Sequence, residues 1–126
     1  MLLPSSSPQT RRLECVRIAD PRGSHQWTGI AGTTTGTWFD KEALEILDLV
    51  ADLPMGDVMR CFMPGYGIRA HDADQVLFEI AFCFQCHNAL IFQPAPHQRR
   101  ELVGFKADSR RAQDLLALFK AFEFRR

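Results

Sequence analysis

The chain has 126 residues, 46% of them hydrophobic and 24% charged, and its fifteen basic and fifteen acidic side chains cancel. That length fits one domain, large enough to bury a normal core without help from disulfides or metal. The balanced charge removes any electrostatic draw towards nucleic acid or membrane, and the pairs Arg11-Arg12, Arg99-Arg100, Arg110-Arg111 and Arg125-Arg126 are scattered, as solvated surface is.

The opening MLLPSSSPQTRR lacks the apolar stretch of a signal peptide and is broken by Pro4 and Pro8. No apolar run nears the roughly 18 to 20 residues that span a bilayer. A cytoplasmic protein is the simplest expectation, with its four cysteines as thiols or metal ligands rather than a disulfide framework. Residues 1–10, rich in serine and proline, are expected to form a flexible tail, and 11–126 a single domain.

LECVRIAD (13–20) alternates as a strand and ends at the turn Asp20-Pro21-Arg22-Gly23. HQWTGIAG is expected to pair with it as a hairpin, and TTTG to lead into the first helix. Asp40 is placed to cap that helix, Glu42 suits its positive end, and Phe39 can staple onto Leu44. Ala43, Leu44, Ile46, Leu47, Val50 and Ala51 form its apolar stripe, and Pro54 and Gly56 end it. DVMRCFM and GIRAH are expected strands, and QVLFEIAFCFQCHNALIF is long enough for one bent strand or two. Within it Val76, Phe78, Ile80, Phe82 and Phe84 share one parity, giving one intensely apolar face. AHDADQ is a polar turn, QPAPHQRRE a loop, and LVGFKA an edge strand or a covering loop. The last helix starts near Asp108 or Ser109 and should bury Ala112, Leu115, Leu116, Phe119 and Phe122. The expected fold is α+β: an antiparallel sheet with two helices packed on one face.

RCFMPGYGIR (60–69) followed by AFCFQC (81–86) resembles a family of small uncharacterised bacterial proteins. Its members carry a CF-x-P-x-x-G-I-R segment, a short turn, and an apolar strand ending in CFxC. The resemblance implies a small α+β domain with no assigned reaction, and it covers Cys61, Phe62, Pro64, Gly67, Ile68, Arg69, Cys83, Phe84 and Cys86. The family usually has Arg-His between proline and glycine, where this chain has Gly65 and Tyr66.

Cys83-Phe84-Gln85-Cys86-His87 carries three chemical readings beside plain packing. As C-x-x-C-H it spells haem attachment, but that normally requires export, and a haem would displace the apolar strand. Met55, Met59 and Met63 could offer axial ligands, although methionine more commonly fills cores. A zinc site would take Cys61, Cys83 and Cys86 as thiolates, with His87 or His71 as the fourth ligand. On a regular strand Cys83 and Cys86 point to opposite faces, so this needs a turn at Phe84-Gln85. A thiol oxidoreductase would use the C-x-x-C directly, yet the strand lacks the helix N-terminus that usually activates such a pair. Small hydrophobes in the core remain the commonest use of cysteines in this setting.

Ser24-His25 and His71-Asp72-Ala73-Asp74 contain hydrolase residue types in turn-like segments, with no third group evident. Gly29, Gly32 and Gly36 precede a helix as in phosphate loops, without a lysine at the required spacing. No catalytic set emerges. The leading expectation is a non-enzymatic protein that binds another protein, in one version an immunity-type protein that neutralises a bacterial toxin. Its surface would be the Gly65–Arg69 turn, with Tyr66, Arg69, His71, Asp72 and Asp74 as contact residues; aromatics and arginine dominate such interfaces. The alternatives are the zinc-stabilised domain and the C-x-x-C oxidoreductase.

Overall fold

Strands β1 (Arg12–Ile18) and β2 (Gly32–Phe39) are followed by helix α1 (Asp40–Ala51). Strands β3 (Tyr66–His71), β4 (Val76–Cys83), β5 (Asn88–Gln93) and β6 (Arg99–Gly104) precede helix α2 (Arg110–Glu123). The computed structural model describes residues 1–22, 27–94 and 98–124. The strands form a single antiparallel sheet in the order β2-β1-β3-β4-β5-β6, so the fold is α+β as expected.

Strand alternation sorts the side chains into two layers. Leu13, Cys15, Ile68, Phe78, Ile80, Phe82 and Ile91 meet Ala43, Leu47 and Val50 of α1 and Ala112, Leu115 and Phe119 of α2. Both helices therefore lie on one face, and the apolar parity of β4 faces them. Aromatic rings cluster there: Phe119 lies 5.7 Å from Phe82 and 5.5 Å from Tyr66, and Phe105 meets Phe82 edge-on. Val16, Ile18, Ala81, Leu90 and Phe92 form a second, smaller cluster on the opposite face, roofed by Ile30, Trp27 and Phe62 from the loops.

Ser109 starts α2 as expected, its hydroxyl accepting from the Ala112 N–H at 3.3 Å. Ala112, Leu115 and Phe119 are buried, while Leu116 and Phe122 are only partly so. Asp40 does not cap α1. It is the first helical residue, with φ 49°, and Phe39 precedes it without any side-chain cap. Its carboxylate instead lies 3.7 Å from Arg11.

Three local readings are corrected. TTTGTWF is not a lead-in but strand β2, where β-branched threonines and aromatics suit a half-buried edge; a phosphate loop is thereby removed. Thr35 is an extra residue against β1, and its hydroxyl donates to the Cys15 carbonyl at 3.3 Å. The expected HQWTGIAG strand falls partly outside the described residues, and Ser24-His25 wholly outside them. DVMRCFM is not a strand either, because residues 52–65 cross the sheet rather than join it. Finally, Tyr66, Gly67 and Ile68 do not form a turn but the buried start of β3, between β1 and β4. A Cβ on Gly67 would stand 2.9 Å from the Ile80 carbonyl oxygen, so only glycine suits that close strand contact.

Residues 1–10, expected as a tail, are held against α1. The Met1 nitrogen donates to the carbonyls of Ala51 and Leu53 at 2.9 and 2.7 Å, Pro4 and Thr10 are buried, and Leu3 packs on the core.

Candidate functional site

The segment 52–65 leaves α1 and runs across one end of the sheet before entering β3. Running transverse to the strands, its backbone cannot use a ladder and is instead pinned strand by strand. At β6, the Gly56 N–H donates to the Gly104 carbonyl at 3.2 Å and the Lys106 N–H to Pro54 at 2.9 Å. A Cβ on Gly104 would collide with the Gly56 carbonyl at 2.3 Å, which fixes how closely the loop lies.

At β5 the pin is Asn88, whose side chain is fully buried. Its oxygen accepts from the Met59 N–H at 2.9 Å, and its amide donates to the carbonyls of Met59 and Cys61 at 2.7 and 2.9 Å. One side-chain amide thus stands in for a missing strand neighbour. At the turn that follows β4 the pin is covalent: Cys61 is disulfide-bonded to Cys86. Cys83 remains a buried thiol whose sulfur accepts from the N–H groups of Met63 at 3.4 Å and Cys86 at 3.3 Å.

The C-x-x-C spans a hairpin. Residues 84–87 form the turn between β4 and β5, and His87 closes it with φ 57°, a left-handed conformation. The chain therefore turns at Phe84-Gln85, as convergence of the cysteines required. The outcome is a disulfide, which corrects the expectation of unpaired thiols and consumes two of the three anticipated zinc ligands. The histidines are engaged elsewhere. His87 Nδ1 accepts from the Ala107 N–H at 3.1 Å, and His71 lies in the ion network described below. Among the described residues, no three His, Cys, Asp or Glu side chains are arranged to hold a metal ion. Cys15 is far simpler: it is buried beneath the helices, and burial raises its thiol to about 11.

With its backbone fastened, the loop turns large apolar side chains outward. Met55 is 78% exposed, Val58 54%, Met59 48% and Met63 49%. These methionines are therefore not core filler. Met55, Met59 and His87 help line an open cleft of about 510 Å³ with Asp57 and Lys106. Met63 lines a second cleft of about 330 Å³ with Tyr66, Phe84, Gln85 and Arg17. Both clefts flank the same loop.

The residues expected to bind a partner are mostly occupied inside the molecule. Tyr66 is buried, and the Arg17 guanidinium sits over its ring at 4.6 Å. Arg17 also donates to the Gly65 carbonyl at 2.8 Å and lies 3.3 Å from Glu123. Burial, reinforced by a hydrogen bond to Glu123 and its charge, pushes the Tyr66 phenol up to about 12.

Arg69, Glu14 and Glu79 stand opposite one another in register on the face away from the helices. The Arg69 side chain, 23% exposed, donates to Glu79 at 2.7 Å and to the Ile30 carbonyl at 3.1 Å, and lies 3.6 Å from Glu14. His71 Nε2 hydrogen-bonds Glu14, and its Nδ1 lies 3.1 Å from Arg12. The Thr34 hydroxyl donates to Glu14 at 2.8 Å. Both imidazole nitrogens are thus engaged, and Thr34 addresses the carboxylate rather than the imidazole, so this is no hydrolytic triad. Asp72 turns inward on its own loop, accepting from the N–H groups of Asp74 and Gln75, both at 2.8 Å. Asp74 is exposed.

The methionine loop escaped sequence reading because its residues resemble a strand. Only their placement between Pro54 and Pro64, with Gly56 and Asp57 breaking the apolar pattern, hinted otherwise.

No family model, no curated protein and no solved structure matches the chain. Among the described residues, no helix is long and apolar enough to cross a membrane.

Proposed function

We propose that this chain is a non-enzymatic partner-binding protein and that the loop carrying Met55, Val58, Met59 and Met63 is its binding surface. The observation behind this reading is four large apolar side chains exposed on one short segment whose backbone is pinned to β6, β5 and the turn that follows β4. Exposed apolar groups on an ordered backbone lose little further freedom on association. Methionine adds a polarizable, adaptable side chain suited to varied apolar surfaces. The flanking clefts offer recesses for side chains of the other protein, and Asp57, Arg60 and Lys106 supply a polar rim.

This moves the surface from Tyr66, Arg69, His71 and Asp72, whose polar groups are engaged internally, to the neighbouring loop. The narrower form, an immunity-type protein, assigns a bacterial toxin as the partner; stoichiometric inhibition of that toxin by the purified chain would be its signature. The Cys61–Cys86 bond speaks for an oxidising compartment rather than the cytoplasm.

The test is to identify the protein that co-purifies with the tagged full chain, purify it separately, and titrate it against variants. Met55→Ser and Met59→Ser should each weaken binding about five- to tenfold, corresponding to hot-spot losses of roughly 1 kcal/mol or more. Their thermal midpoints should stay unchanged, since the side chains are exposed. Leu2→Ser and Phe124→Ser, exposed elsewhere, should bind normally. Unchanged affinity in both methionine variants would sink the proposal.

A further inference from the structure

We propose that Cys86 is an exchangeable sulfur that passes from Cys61 to Cys83, making this cluster a thiol–disulfide exchange site. The three cysteines form a graded series in depth. Cys61 is exposed, whereas Cys86 and Cys83 are buried. The Cys83 sulfur touches backbone from both halves of the bridge, at the Cys86 N–H itself and at the N–H of Met63, two residues beyond Cys61. Cys83 and Cys86 also flank two residues of a tight turn, the spacing of a C-x-x-C disulfide.

The reaction is balanced without any oxidant. Cys83 loses its proton to solvent and its thiolate attacks Cys86 Sγ. The Cys83–Cys86 bond forms as the Cys61–Cys86 bond breaks, and the electron pair departs on the Cys61 sulfur, which regains a proton from water. Water at the exposed position solvates that departing sulfur. The product keeps one disulfide and one thiol, but the thiol now lies on the surface in the middle of the methionine loop. There its thiolate can attack a small disulfide such as cystine or glutathione disulfide, forming a mixed disulfide as that S–S bond breaks and one small thiol departs. The covalent pin of the loop is lost, while the Asn88 pin remains. Cys15 takes no part, being sequestered beneath the helices. The inference stands apart from the partner-binding reading, because it concerns sulfur connectivity alone.

The purified full chain, without added thiol, is incubated with iodoacetamide in mildly alkaline buffer, at about pH 8, and digested under non-reducing acid conditions. Peptide mass spectrometry should show alkylated Cys61 accumulating together with a Cys83–Cys86 cross-link. Cys15→Ser should behave like the parent chain. Cys83→Ser and Cys83→Ala should both retain Cys61–Cys86 and leave Cys61 unlabelled. Alkylation of Cys83 with the Cys61–Cys86 bond intact in the parent chain would overturn the proposal. So would equal labelling of Cys61 in the Cys83 variants. The parent time course decides the first point even if a variant fails to fold.

Discussion

At the scale of single residues, Asn88 has the largest structural task for its size. Its buried amide satisfies one N–H and two carbonyls of a loop that has no strand partner, and buried polar groups left unpaired are costly. Asn88→Ala should therefore lower stability by about 2 kcal/mol or more, measured by urea denaturation. A loss within about 0.5 kcal/mol, typical of surface changes, would show that the loop does not need this pin. Tyr66 offers a second check, because it is the single tyrosine of the chain and its ionisation can be followed alone by ultraviolet absorbance. Burial, with Glu123 adding to it, holds the phenol up at about 12 against an ordinary 10.0. A raised acid stabilises the fold below its unfolded pKa, and that contribution disappears as pH climbs from 10.0 towards the folded value. The absorbance midpoint should lie well above 10.0 and drop in Glu123→Gln. A midpoint at the ordinary value would place Tyr66 in contact with solvent.

At the scale of elements, the sequence was legible where a side chain's fate depends on its neighbours along the chain. The parity of Val76 to Phe84 marked the face of β4 that meets the helices, and Ser109 marked the start of α2. It was opaque where partners come from afar. The threonines of β2 carry strand propensity but no apolar alternation, since β2 is a half-exposed edge. Residues 57–63 carry apolar alternation but no strand, because β6, β5 and β4 present only their ends to them. Nor could spacing choose among Cys61, Cys83 and Cys86 for the bridged pair, which the turn at residues 84–87 decides.

The row Glu14–Arg69–Glu79 is likewise a property of register, formed only when β1, β3 and β4 align. Burial works against the Glu14 carboxylate, but the Thr34 hydroxyl, His71 and Arg69 outweigh it and hold the carboxyl below its usual 4.5. A depressed acid contributes stability above its unfolded pKa, and the contribution is lost as pH falls through the folded value. Glu14→Gln should therefore flatten the decline in denaturant midpoint between pH ~5 and pH ~3. An identical decline in both proteins would remove Glu14 from the acid limb.

At the scale of the whole molecule, the two faces of the sheet are closed by different means. The helices cover one face, and loops with a charged row cover the other. Four exposed apolar side chains, Met55, Val58, Met59 and Met63, gather at one end, where residues 52–65 cross the strand termini. Irregular loops on rigid scaffolds are where binding commonly resides, and here the scaffold fastens the loop through Gly56, Asn88 and Cys61. The C-x-x-C-H sequence thus acquires a structural meaning: its turn supplies Cys86 to the bridge and His87 to the cleft wall.

The most direct test of the account is amide hydrogen exchange on the full chain, free and in complex with its purified partner. The account predicts slowed exchange on binding within residues 55–63 and unchanged exchange at residues 72–75. Protection confined to the segment around Asp72 and Asp74, with the methionine loop exchanging as in the free chain, would contradict it.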